Sequence, residues 1–190
     1  MRVAGTLEHL QQVQELNRAF LGLLQSRLSG STPSFGLPAA AVPAVKEASA
    51  EAVEAVARFP HALFRLEIGR SGRRAYLEPN AHSDEAEHDL VLSMLLAARH
   101  VSRQSLYQAR LLFGLADGEI QVLSQLPLAE AQKLAATPET VQCAFRDRIW
   151  LWQGLFTATR PELRRQLTLM ALQPGVIVAW PRRRPPRASG

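Results

Sequence analysis

The chain has 190 residues, 47% of them hydrophobic and 21% charged, the balance of a protein that buries a core rather than one that stays disordered. Its longest apolar run, Leu90 to Ala98, is broken by Ser93 and falls far short of the roughly 20 residues that span a bilayer. The net charge of +5 is unevenly placed: from Arg160 onward there are seven arginines against the single acid Glu162, so this end carries +6 and the remainder −1.

The N-terminal MRVAGTLEHL lacks the apolar core of a secretory signal, and one cysteine, Cys143, permits no internal disulfide. A cytoplasmic location without membrane insertion is expected. The basic end points to an acidic partner or to nucleic-acid phosphates, although an arginine-rich terminus also serves simply to keep a chain soluble.

Residues 6–28 predict a helix with Thr6 as its cap. Leu10, Val13, Asn17, Phe20 and Leu24 recur at alternating three- and four-residue steps, which makes them an association seam along one helix face. Asn17 interrupts that seam. A polar residue there either fixes register or sits at the edge of the contact. The Ser-, Gly- and Pro-rich stretch SGSTPSFGLP is a loop, followed by short alanine-rich helices near 38–48 and 49–58. ALFRLEI (62–68) alternates apolar and polar residues as a strand does, and GRSG is able to turn it back into RRAYLE (73–78) as a small hairpin. The polar EPNAHSDEAEHD (78–89) is the linker candidate.

HDLVLSMLLAARHV is helical, and SRQSLYQARLLFG continues or restarts the helix up to a stop at Gly114. Two short helices follow at 116–126 and 127–136, the second with Pro127 in its first turn. VQCAFRD reads as a short strand, IWLWQGLF (149–156) as a strongly apolar stretch, RPELRRQLTLMAL (160–172) as an amphipathic helix, VIVAW (176–180) as a strand, and PRRRPPRASG as a disordered end.

The second half repeats the order of the first. Phe35-Gly36-Leu37 matches Phe113-Gly114-Leu115 at an offset of 78 residues, which also brings Pro60 onto Pro138. Three additional residues shift the offset to 81, where Phe64-Arg65 meets Phe145-Arg146. The unit is a long helix, an FGL turn, two short helices and an extended segment ending in Phe-Arg.

The run LSMLLAARHVSRQSLYQARLLFGLADGEIQVLSQLPLAEAQKLAATPETVQCAFR (92–146) resembles the flagellar transcriptional activator subunit FlhD, through its LLAAR segment, LFGL, the two short helices and CAFR. ELNRAFLGLLQSRL (15–28) looks like that family's first helix, and residues 149–172 are similar to its C-terminal helical region. The sequence departs from the family in two ways: Cys143 meets the family's cysteine only after a one-residue shift, and the family does not normally place two units in one chain. The resemblance implies a mainly α fold, a tandem pair of FlhD-like helical units with a few short strands or a small hairpin. The first unit covers 1–68, a hairpin or linker 69–85, the second unit 86–173, and a strand with a basic tail 174–190. It also implies a transcriptional regulatory subunit that meets DNA in a complex with a zinc-binding, FlhC-like partner.

Within that reading the nucleic-acid contacts are Arg164, Arg165, Arg182, Arg183, Arg184 and Arg187. A protein-interaction adaptor that never touches DNA is the alternative, cradling another protein's helix on the Leu10–Leu24 seam or the Leu90–Leu112 face. No catalytic constellation, metal site or cofactor is expected: no glycine loop has phosphate-cradling spacing, and His82 and His88 bracket acids in a solvated linker. Cys143 is expected as buried packing, or, by the resemblance, as a bridging thiol. Trp150, Trp152 and Trp180 are candidates for core packing or for an association surface.

Overall fold

The structure is a computed structural model that describes residues 2–30, 35–68, 85–137, 139–158 and 160–172. In chain order the elements are α1 (Arg2–Ser29), a 3-10 turn (Ala39–Ala41), α2 (Val42–Lys46), α3 (Ala50–Ala57), β1 (Phe64–Leu66), α4 (Glu85–Gln104), α5 (Leu106–Phe113), α6 (Asp117–Gln125), α7 (Leu128–Ala135), β2 (Val141–Cys143), α8 (Ile149–Thr157) and α9 (Pro161–Leu172). The fold is mainly α, with one two-stranded antiparallel sheet. None of the described helices is long and apolar enough to cross a membrane.

Local chemistry sets several of the boundaries. Ser49 caps α3 by accepting from Ala52 N at 3.2 Å, and Ser105 caps α5 by accepting from Gln108 N at 3.3 Å. The second cap is why the long helix of the second half restarts rather than continuing. Gly114 ends α5 in the left-handed region at φ 64° and donates back to Arg110 O. Thr6 does not cap α1. The helix already begins at Arg2, and the Thr6 hydroxyl oxygen accepts from Gln108 Nε2 at 2.6 Å. Pro127 stands one residue before α7, as its N-cap.

The long helices α1 and α4 pack against each other; α1 also packs on α3, and α4 on α6 and α7. The Val13, Asn17, Phe20 and Leu24 side chains are buried inside the chain, with Leu10 partly buried beside them. The seam is therefore covered by the chain's own elements. An aromatic line runs through the core from Phe35 to Phe20, Phe64 and Phe113, with successive ring centroids 5.5, 5.9 and 6.2 Å apart. Arg27 sits over the Phe35 ring at 4.1 Å and pairs with Glu87, tying the end of α1 to the start of α4.

Helices α8 and α9 close the far side. α8 lies on α2, α3 and α9, and Gln153 Nε2 donates to Ala40 O at 2.6 Å. These helices cover the short helices of the first half. Their cover reaches Ala55 and Phe59, whereas the residues 78 positions later are Lys133 and Thr137.

The expected return strand at 73–78 lies outside the described residues, as does VIVAW. Among the described residues the partner of β1 is β2, in the corresponding extended segment of the second half.

Candidate functional site

The two halves meet at the β1–β2 crossing. Phe64 pairs with Cys143, Arg65 with Gln142 and Leu66 with Val141. Continuing this register places Leu63 opposite Ala144, and Ala144 N donates to Leu63 O at 2.8 Å. Those two residues are the ones that the offset of 81 makes equivalent. The equivalent positions thus face each other one step beyond the end of the ladder, as equivalent positions do where a twofold axis passes.

Backbone hydrogen bonds cross between the halves around this pair. Cys143 N donates to Phe35 O, and Ala62 N donates to Leu112 O, both at 2.7 Å. Each FGL region therefore supports the extended segment of the other half. Gly36 and Gly114 both hold left-handed backbones, at φ 68° and 64°. A Cβ on Gly36 would lie 2.6 Å from Gln142 Oε1, and one on Gly114 would lie 3.0 Å from His61 Nε2. His61 and Gln142 are again equivalent at the offset of 81, so both turns press on matching positions of the opposite half.

The Leu63–Ala144 pair is finished by side chains. Leu63 N donates to Asn17 Oδ1 at 2.8 Å, while Trp152 Nε1 donates to Ala144 O at 2.9 Å. Asn17 Nδ2 also reaches Ala57 O, Phe59 O and His61 O at 3.4, 3.3 and 3.0 Å. Asn17 is 0% exposed, so it is a buried hub and not a residue at the edge of a seam. Of the two neighbouring tryptophans, Trp152 is core and Trp150 is partly buried against it; Trp180 lies outside the described residues.

Two titratable groups lie at the crossing, and burial keeps both neutral. Desolvation lowers the His61 pKa, against a hydrogen bond with Ala62 O that raises it, and the ring packs on Phe145 at 5.2 Å. Burial pushes the Cys143 thiol up to about 12, which leaves it without the thiolate that nucleophilic chemistry needs at neutral pH. Native Cys143 is expected to resist alkylation by iodoacetamide at pH 8 and to react once the chain is unfolded. Because its folded pKa is raised, the unfolded state releases its proton first, starting near the ordinary value of 9.0. Stability is then complete below pH of about 9 and falls as pH rises toward 12. Chemical denaturation at pH 8 and 10, on the chain and on a Cys143→Ala variant, checks the sign.

The predicted nucleic-acid arginines divide into two groups. Arg165 is exposed on α9. Arg164 is half-buried, and it donates from Nη2 to Ala158 O at 2.7 Å and from Nε to Leu155 O at 3.5 Å. Its guanidinium thus caps the end of α8. Arg182, Arg183, Arg184 and Arg187 lie outside the described residues, as does His82. Among the described residues no group of three His, Cys, Asp or Glu side chains is placed to hold a metal ion.

No family model, curated protein or solved structure matches the chain. The geometry therefore stands alone.

Sequence reasoning missed Arg58 and the α3–α9 groove that it borders, a cavity of about 220 Å³. Arg58 follows an alanine-rich helix, and nothing in its spacing signals that α9, far along the chain, will return beside it. The one available signal was the amphipathic pattern of 160–172, which marks a packing helix without naming its partner.

Proposed function

We propose that this chain is a transcriptional regulatory subunit of the FlhD type, a paired unit within one chain that works by assembly with a second, zinc-binding subunit and reaches DNA through that complex. The observation that carries the reading is the β1–β2 crossing, where Ala144 bonds Leu63 beside the ladder and each FGL region is hydrogen-bonded to the other half. Two helical units that exchange segments in this way form an intertwined pair. Covalent linkage makes their association intramolecular, at an effective concentration on the order of millimolar.

In this reading the body supplies protein contacts and does no chemistry of its own. The phosphate contacts belong to Arg182, Arg183, Arg184 and Arg187 in the tail, because Arg164 is occupied with the end of α8. Together with an FlhC-like subunit, the chain should bind duplex DNA with an affinity that falls as salt rises. Neutralising tail arginines to glutamine should lower the slope of log affinity against log salt by about one unit for each phosphate that an arginine no longer neutralises. Absent or salt-independent DNA binding by the complex overturns the proposal. If removal of residues 181–190 leaves the function of the complex unchanged, the adaptor reading takes its place.

A further inference from the structure

We infer that the groove between α3 and α9 docks a short acidic segment of a partner protein, seating one apolar side chain and holding its flanking carboxylates on Arg58 and Arg165. This rests on the assembly reading above only in taking the occupant to be a protein.

The floor of the groove is Val56, Phe59 and Leu155, all buried, and its walls include Ala55, Pro60 and Pro161. Its rim carries three arginines, Arg58, Arg164 and Arg165, and no acid lines it. Glu162 lies on the same helix as two of them but does not reach the lining. The nearest carboxylate to Arg58 is Glu54, at 3.9 Å. Glu54 is already clasped at 2.6 Å by both Nε and Nη2 of Arg18, whose hydrogen bond is the main cause holding that carboxyl below its ordinary pKa. Arg165 has no ion-pair partner among the described residues. The rim is thus cationic with little local compensation, around an apolar interior.

Size and shape select the occupant. A cavity of about 220 Å³ is smaller than the roughly 300–1,000 Å³ of sites that enclose drug-sized molecules, and it suits a single side chain. A duplex backbone laid across the groove would set phosphates over its apolar walls, a contact that gains nothing from them. An acidic segment with an apolar residue satisfies both parts, with charge-assisted hydrogen bonds at the rim.

The test uses the full chain and fluorescence anisotropy with labelled peptides at about 0.15 M salt. The acidic apolar peptide EDLFDE should bind. EDSSDE, which lacks the apolar pair, and KKLFKK, which reverses the charge, should each bind at least about tenfold more weakly. R58E and R165E should each weaken EDLFDE about tenfold, while the tail variant R182E/R183E/R184E should keep its affinity within about twofold, which separates the groove from the basic end. The inference is overturned if EDLFDE does not bind, if EDSSDE binds equally well, or if R58E and R165E bind like the unaltered chain. It is also overturned if a short duplex DNA displaces the peptide and R58E and R165E lose the duplex, because the arginines then serve phosphates. The salt slope on DNA is read on the complex and the tail, so either result stands without the other.

Discussion

Replacing Asn17 by leucine is expected to destabilise the chain by about 3–5 kcal/mol, lowering the melting temperature by roughly 10 °C or more. The side chain is wholly buried and reaches four backbone groups, among them Leu63 N at 2.8 Å and His61 O at 3.0 Å. Leucine fits a helix seam better than asparagine does, and apolar burial alone would make the substitution stabilising. The opposite sign is expected because each buried donor or acceptor left unpaired costs about 1–3 kcal/mol. Thermal unfolding followed by circular dichroism reads the result, and a melting temperature equal to or above that of the unaltered chain contradicts the account.

Trp152→Ala is expected to cost a similar amount, about 3–5 kcal/mol. The indole is 1% exposed and donates to Ala144 O, so the substitution opens a cavity under α8 and leaves a carbonyl unpaired. Trp152→Phe, which keeps most of the volume and loses only the N–H, should cost about 1 kcal/mol or slightly more. The two sites should also be coupled. Asn17 and Trp152 satisfy Leu63 N and Ala144 O, the two groups of the Leu63–Ala144 pair that do not bond each other directly. With both side chains gone these groups become free to meet, so the double variant should lose less than the sum of the singles, by more than about 0.5 kcal/mol.

The helices were legible because helical periodicity and caps are local. Val13, Phe20 and Leu24 mark a buried face by spacing alone, and Gly114 marks an end because the left-handed backbone it adopts, at φ 64°, favours glycine. Thr6 was misread because a threonine with glutamate and leucine after it has the composition of a helix start, while its real partner, Gln108, is 102 residues away. The strand at 64–66 was legible from its alternation, but its partner was not, because periodicity fixes which face is buried and says nothing of which strand lies alongside. The same limit applies to Asn17. A polar residue in an apolar seam carries no sign of the four backbone groups that the fold turns toward it.

The groove was invisible for a related reason. Arg58 and Arg165 have unremarkable neighbours in sequence, and only the return of α9 across α3 places them on one rim. The offsets of 78 and 81 carried further. They mark Leu63 and Ala144 as equivalent, but only the fold shows that these two residues pair.

The mass of the chain in solution tests the central claim most directly. If the two halves pair with each other inside one chain, light scattering coupled to size exclusion should give the single-chain mass of 21.0 kDa at every protein concentration. A mass of twice that value, or one that rises with concentration, would mean that the halves pair between chains and would contradict the account.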